Sequence, residues 1–243
     1  MRKLLLICGV CVLISGTAFS QKTDRERDGL KGPVKMVRVR QAAILSEDAK
    51  ESESPLLLTH EVTYDQSGNR TALALYDRTG SLSRRIEYQY DPATKQRSGL
   101  TTYNSQNVIV RKVADKYGSN GFKINTTIQD FNEDGTLFKK TELTFGALGE
   151  LIKVAEYQAD GSLIKKDKPS LELPDRENAL STNRGTVEDT DRVVSFGQKR
   201  GEYFDLDLNG NWTRGMTGST FRTYASGKKA KTTEWAYREF TYY

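Results

Sequence analysis

The sequence has few of the residues on which most metal centres and many catalytic sites depend. Its 243 residues include two cysteines and one histidine. Both cysteines, Cys8 and Cys11, lie in an apolar stretch at the N-terminus, so the rest of the chain has no disulfide framework, thiolate zinc site or cysteine nucleophile. Because His60 stands alone, a multi-histidine metal site is excluded and a histidine-based triad is disfavoured. We predict no metal site and no cofactor.

The N-terminus has the three parts of a secretory signal peptide. Arg2 and Lys3 precede an apolar run over residues 4–14, and the small residue Ser20 follows it. We predict that residues 1–20 form a bacterial signal peptide and that the chain is exported, to the periplasm or outside the cell. The apolar run is shorter than the roughly 20 residues of a transmembrane helix. No transmembrane segment is therefore expected after removal of the signal.

The charge balance says little about a partner. The formal net charge of +5 falls to +3 when Arg2 and Lys3 are removed with the signal, and such a value does not indicate nucleic-acid binding. Basic doublets recur at Arg84-Arg85, Lys139-Lys140, Lys165-Lys166 and Lys228-Lys229. Stacked on one face, they would bind a polyanion. Spread along strands, such charges keep a one-sheet protein soluble and block edge-to-edge association.

Between residues 60 and 165 the chain repeats a short unit. An aromatic residue recurs every 12 to 14 positions, and a glycine or an asparagine follows four positions later in most copies. The copies are Tyr64 with Gly68, Tyr76 with Gly80, Tyr90 without a glycine, Tyr103 with Asn107, Tyr117 with Gly121, Phe131 with Gly135, Phe145 with Gly149 and Tyr157 with Gly161. Gly210 keeps the same offset from Leu206. In the copy of Tyr90, the turn is expected to use the fixed φ of Pro92 instead.

The copy that begins at Phe131 shows why the unit predicts a hairpin. Asn132 opens a type I turn, Gly135 accepts the positive φ of the bulge that follows, and the chain returns as a new strand. Between turns the side chains alternate, with Ile86 and Tyr88 directed to the same face. The predicted fold class is all-β, an antiparallel meander of repeated hairpins with about ten or more strands in a twisted or curled sheet.

The chain divides into a signal peptide, a repeat body, a polar segment and a C-terminal part. Residues 21–166 hold a first strand and the repeats, residues 167–191 are charged and lack strand periodicity, and strands resume over residues 192–243. We predict a polar linker or long loop at 167–191, followed by C-terminal hairpins that continue the sheet. The sequence Gly210-Asn211-Trp212-Thr213 shares three residue types with Gly68-Asn69-Arg70-Thr71.

These residues carry a resemblance to a known family. Tyr64-Asp65-x-x-Gly68 and Tyr76-Asp77-x-x-Gly80 resemble the YD repeat of Rhs-type proteins. The chain also resembles short secreted bacterial proteins of unknown function that open with a sequence such as residues 29–35 here and close with one such as residues 210–214. The resemblance implies strung β-hairpins in a spiralling sheet. In the large members that sheet encloses a toxin, and we do not expect this function in so short a chain.

Candidate catalytic and metal-binding residues are few. Residues 205–210 match the first half of a calcium loop, but Met216 stands where the bidentate glutamate is required. A hairpin turn is the favoured interpretation there, and calcium binding stays open. Carboxylates such as Glu61, Glu87 and Glu142 are spread along strands, where they are typical partners of lysine and arginine. No catalytic residue is predicted.

We therefore expect a secreted, non-enzymatic β-repeat scaffold or binding module at the cell envelope. The sequence does not identify the ligand and leaves a glycan, another polyanion and an envelope protein open. Rows of tyrosine on a sheet can stack sugars. The same tyrosines would also pack over neighbouring strands as structure. A carboxylate-based glycan-acting enzyme is one alternative, and it requires two acids roughly 5 to 10 Å apart. A structural part of a larger YD-repeat assembly is another.

Overall fold

The structure is a computed structural model that describes residues 22–47, 50–167, 203–223 and 229–243. The predicted signal peptide, the predicted linker beyond residue 167 and residues 192–202 of the C-terminal part lie outside the described residues. Within the described ranges, no helix is long and apolar enough to cross a membrane.

The described ranges contain one short helix and fourteen strands, all in one antiparallel sheet. The helix is α1 (Asp24–Arg27), and the first seven strands are β1 (Val34–Glu47), β2 (Lys50–Glu53), β3 (Leu57–Tyr64), β4 (Arg70–Tyr76), β5 (Leu82–Tyr90), β6 (Arg97–Asn104) and β7 (Ile109–Tyr117). The others are β8 (Lys123–Phe131), β9 (Leu137–Phe145), β10 (Leu151–Gln158), β11 (Leu163–Asp167), β12 (Tyr203–Leu206), β13 (Trp212–Thr223) and β14 (Lys229–Tyr242). The sheet is open, and the predicted all-β meander is confirmed.

Strand order follows the chain through most of the sheet. Strands β3 to β11 are neighbours in sequence order and form the meander. Strand β1 lies between β3 and β14, and β13 and β12 follow β14 toward the other edge. The short β2 pairs with the C-terminal part of β1. The C-terminal strands therefore join the repeats through β1 and not through β11.

Most turns of the repeat have one hydrogen-bond pattern. In the copy of Phe131, the Gly135 N–H donates to the Asn132 carbonyl at 2.9 Å, and the Asn132 N–H donates to the Thr136 carbonyl at 2.9 Å. Gly135 has a φ of 84°, as expected for a type I turn closed by a glycine bulge. Asn107 takes the glycine position with a φ of 64°, which asparagine tolerates better than most residues.

The turn after Tyr90 differs from the prediction. This turn is one residue longer than the others, and a positive φ of 60° falls on Lys95. The Lys95 N–H donates to the Asp91 carbonyl at 2.8 Å. The prediction that Pro92 replaces the left-handed residue is therefore wrong. The reversal still requires one positive φ, because the turn must match the right-handed twist of its strands.

A second bulge after each turn sets the direction of the aromatic residues. In β4, Thr71 has no direct partner, because Thr63 pairs with Ala72 and Tyr64 with Arg70. One extra residue shifts the two-residue alternation of a strand. Successive aromatic residues of the repeat therefore lie on opposite faces of the sheet, as well as at opposite ends.

The sheet has two faces and two ends, each marked by particular residues. The core face carries Val62, Leu73 and Ile86, which pair from strand to strand and are at most 1% exposed. The glutamate face is the opposite one and carries Glu61 and Glu87. The proximal end holds the turn at residues 65–69, and the distal end holds the turn at residues 77–81.

The hydrophobic core lies on the core face of β1, β3 to β8 and β14. Burial of each large apolar side chain there contributes roughly 1.5–3 kcal/mol. In β9 to β11, Thr141 and Ala155 are the only buried residues. The core thus becomes thinner toward the β11 edge, so β1 and its neighbours supply most of the apolar stabilisation.

Replacing Lys95 by glycine is expected to stabilise the fold. A left-handed φ costs a non-glycine residue roughly 1–2 kcal/mol, and the greater freedom of glycine in the unfolded chain offsets part of that gain. We expect the free energy of unfolding to rise by about 1 kcal/mol, measured by urea denaturation. The control, Gln129→Gly within β8, should lower it by about 0.5–1 kcal/mol. A loss of stability at both positions would contradict the assigned turn.

Candidate binding surface

The aromatic residues of the repeat form two groups. The proximal group lies on the core face and consists of Tyr64, Tyr90, Tyr117 and Phe145. The distal group lies on the glutamate face and consists of Tyr76, Tyr103, Phe131 and Tyr157, and it is called the distal row. Its members occupy every second strand, so neighbours are about 10 Å apart. Each ring is half-buried, and the row therefore presents partly exposed aromatic surface opposite the core.

Three members of the distal row bind a glutamate on the preceding strand. The phenol of Tyr76 donates to Glu61 at 2.5 Å, that of Tyr103 to Glu87 at 3.0 Å and that of Tyr157 to Glu142 at 3.3 Å. Each glutamate also pairs with a cation, namely Arg38 for Glu61, Arg85 for Glu87 at 3.0 Å and Lys140 for Glu142 at 2.7 Å. These three carboxylates are therefore engaged within the sheet.

The contacts shift the pKa values of the row. Burial and the hydrogen bond to Glu61 raise the pKa of Tyr76 to about 12. Burial acts to raise the pKa of Glu61, but hydrogen bonds from Tyr76 and Arg38 lower it overall. Lys140 lowers the pKa of Glu142. Both glutamates are thus held ionised, whereas the general acid of a glycan hydrolase needs a raised pKa.

The member of the row on β8 departs from this pattern at two positions. Phe131 has no hydroxyl, and Lys112 of β7 takes the place that Glu87 has on β5 and Glu142 on β9. The Lys112 Nζ lies 5.8 Å from the centroid of the Phe131 ring, within the range of a cation–π contact. Lys112 has no salt bridge with a described residue. The middle of the row therefore carries an uncompensated positive charge beside an aromatic ring.

Residues 22–33 close the proximal end of the sheet, and we call them the N-terminal clamp. The Arg25 N–H donates to the Gly68 carbonyl at 2.9 Å, in the turn between β3 and β4. The phenol of Tyr90 donates to Asp24. The clamp thus holds Tyr90, a member of the proximal aromatic group, on the core face.

A buried ion pair anchors the clamp. Arg70 Nη2 lies 2.8 and 2.9 Å from the two carboxylate oxygens of Asp28, and the two side chains are 8% and 10% exposed. The phenol of Tyr64 also donates to Asp28. Burial acts to lower the pKa of Arg70, but Asp28 raises it overall. Loss of either partner would leave a charge buried without compensation.

A second anchor joins the two sequence motifs that carry the resemblance to short secreted proteins. The Lys31 N–H donates to Asn211 Oδ1 at 2.7 Å, and Asn211 Nδ2 donates to the Lys31 carbonyl at 2.9 Å. Asn211 Nδ2 also donates to the Tyr242 hydroxyl at 2.9 Å, and Asn211 is 3% exposed. Residues 180 positions apart in the chain therefore meet at the proximal end.

The candidate calcium loop forms a hairpin turn. The Asp207 carboxylate accepts the backbone N–H of Asn209 at 2.9 Å, the N–H of Asn211 at 2.8 Å and the hydroxyl of Tyr242. Asp205 lies exposed on β12. The part of the chain that the structure describes has no cluster of three or more acidic, histidine or cysteine residues suited to a metal ion. The geometry supports the hairpin interpretation.

The basic doublets do not form a single basic face. Adjacent residues of a strand point to opposite faces, so the doublets at residues 84–85, 139–140 and 165–166 are each divided between the core face and the glutamate face. Most members with described side chains have acidic partners: Arg85 with Glu87, Lys139 with Glu156, Lys140 with Glu142 and Lys165 with Asp167. Lys228 lies outside the described residues. The doublets therefore serve mainly as partners for strand carboxylates.

His60 lies in the core, where it is 3% exposed. It pairs with Val39 and Leu75 on the neighbouring strands. Burial, together with the charges of Arg238 and Arg70, lowers the pKa of His60 to about 4. The imidazole is therefore neutral at neutral pH and has a structural position. Nothing in the local sequence indicates this burial.

Comparison with known proteins gives no family for the chain. No protein-family model and no curated protein matches it. A porin-like protein from Bacteroides uniformis aligns with 87% of this chain and 99% of its own, at 11% identity and a TM-score of 0.30. A DUF1329 family protein from Desulfovibrio piger aligns with 85% of this chain and 86% of its own, at 8% identity and a TM-score of 0.25. Likenesses this weak support no conclusion about function.

Replacing Asp28 by asparagine is expected to destabilise the chain strongly. The change leaves Arg70 buried without a counter-charge, which costs about 3–5 kcal/mol. Chemical denaturation of Asp28→Asn, of Arg70→Met and of the double variant will measure the coupling. We expect the double variant to lose less than the sum of the single losses. Additive losses in the free energy of unfolding would contradict a buried anchor. An equally large loss for Lys165→Gln, which breaks the exposed ion pair with Asp167, would contradict it as well.

The burial of His60 predicts a loss of stability at mildly acidic pH. Its pKa is about 4 in the folded chain and near 6.5 when unfolded, so the unfolded state binds more protons between these values. This contribution is complete above pH 6.5 and declines as the pH falls toward 4. We expect a decrease of about 2 kcal/mol between pH 7 and pH 5, measured by urea denaturation. His60→Gln should remove this decrease, and an unchanged pH profile would contradict the assignment.

Proposed function

We propose that the chain is an exported, non-enzymatic β-repeat binding module of the cell envelope and that its ligand lies across the distal row. The signal-peptide pattern of residues 1–20 supports export. The distal row carries the proposal, because it places four aromatic rings at intervals of about 10 Å on the face opposite the core. Aromatic rings in such a row offer apolar surfaces to the sugar rings of an extended glycan. A glycan is therefore the favoured ligand.

The engagement of the glutamates favours binding over hydrolysis. A carboxylate-based hydrolase needs one acid that is protonated and one that is ionised. Glu61 and Glu142 each accept a phenol and pair with a cation, and these contacts hold both in the ionised form. In the proposed role they instead fix the orientation of the rings in the row.

A place in a larger β-repeat assembly is the second candidate function. Strand β11 forms one edge of the described sheet, and all five of its side chains are exposed. Leu163 and Ile164 of this strand are 54% and 51% exposed. Exposed apolar side chains on an edge strand favour association with another strand. Light scattering of the mature chain will show whether it self-associates through this edge.

Replacing Phe131 by alanine is expected to weaken glycan binding about tenfold, because the row loses its central ring. The matched control is Phe145→Ala, which removes the same side chain at the equivalent position of the next hairpin, on the core face. Binding is measured on a glycan array and by calorimetry with residues 21–243. Equal losses for the two variants, or absence of any glycan binding, would contradict the proposal. Product formation from a bound glycan would contradict a non-enzymatic role.

A further inference from the structure

We infer that the ligand of the distal row is an acidic polysaccharide and that Phe131 and Lys112 recognise its carboxylates. This inference rests on the proposed binding of a glycan to the glutamate face. One member of the row differs from the others, because it has phenylalanine and lysine in place of tyrosine and glutamate. The replacement removes an acid and adds a base, so the charge of the row is reversed at this position.

The carboxylates of this face are already neutralised. Over β5 to β10, the glutamate face carries Glu87 and Glu142 as its acidic residues. Arg85 lies 3.0 Å from Glu87, and Lys140 lies 2.7 Å from Glu142. Each carboxylate is therefore already paired with a cation, and the charge of Lys153 on β10 also lowers the pKa of Glu142.

Two lysines on the same face have no acidic partner. Lys112 and Lys116 both lie on β7. Strand pairing places Lys112 opposite Gln129 and Lys116 opposite Asn125, and neither has a salt bridge with a described residue. The face consequently has an excess of positive charge along β7. A ligand with regularly spaced negative charges complements it.

The geometry favours a sugar chain over a nucleic acid. Rings of the distal row are about 10 Å apart, twice the spacing between strands, whereas stacked bases are about 3.4 Å apart. An extended polysaccharide can place every second sugar on a ring of the row. At Phe131 the ring meets the apolar face of a sugar, and the adjacent Lys112 ammonium meets its carboxylate. The ligand carboxylate then takes the position that a glutamate side chain occupies elsewhere in the row.

Polygalacturonate and its methyl ester test this inference, because they share one backbone and differ in charge. The informative variant is Phe131→Tyr/Lys112→Glu, which restores the regular tyrosine and glutamate pair and should therefore fold. Lys95→Glu, in an exposed turn, changes the net charge by the same two units and is the control. Affinities are measured by calorimetry at two salt concentrations with residues 21–243, and denaturation checks the stability of each variant.

We expect polygalacturonate to bind at least tenfold more tightly than its methyl ester, and more weakly at high salt. The Phe131→Tyr/Lys112→Glu variant should lose this preference, while Lys95→Glu keeps it. Equal binding of the ester and the acid would overturn the inference but leave glycan binding by the row intact. Equal binding of single-stranded DNA would overturn the choice of a sugar. Binding of neither polysaccharide, together with no effect of Phe131→Ala on any glycan, would overturn the proposed function as well.

Discussion

Strand β1 pairs along both of its edges, and the arrangement of the whole sheet depends on these two pairings. One edge binds β3 and with it the repeats, and the other binds β14 and the C-terminal strands. The N-terminal clamp adds a contact on each side of β1, from Arg25 to the turn at Gly68 and from Lys31 to Asn211. Chain closure over such a distance costs entropy that grows slowly with length, and the buried core around β1 offsets it.

The repeat gives the two faces of the sheet different roles. A bulge after each turn reverses the alternation of side chains along the strand. Successive copies of the same sequence unit therefore place their aromatic residue first on the core face, as at Tyr64, and then on the glutamate face, as at Tyr76. The proximal Tyr64 and Tyr90 donate to aspartates of the N-terminal clamp, while the three distal tyrosines bind glutamates of the opposite face. In the proposed function, stability and binding therefore belong to opposite faces. A change such as Phe131→Ala affects the surface without opening the core around Val62.

The meander could be predicted because each hairpin is encoded within about 14 residues, as in the run from Phe131 to Gly135. The pairing of β1 with β14 could not, since it joins residues 199 positions apart, such as Arg40 and Glu239, and alternation leaves the choice of partner strand open. The burial of His60 follows from that same non-local pairing. Rows of tyrosine could be predicted, but their division between the two faces could not, because it depends on unpaired bulge residues that have no sequence signature of their own.

Mapping of the ligand by NMR tests the division between the two faces most directly. Residues 21–243 are titrated with a galacturonate hexamer, and the shifts of backbone amides are followed. We expect the largest changes on the glutamate face around Lys112 and Phe131, and we expect the amides around Asp28 and Phe145 to keep their shifts. Changes concentrated at the N-terminal clamp or on the core face would contradict it.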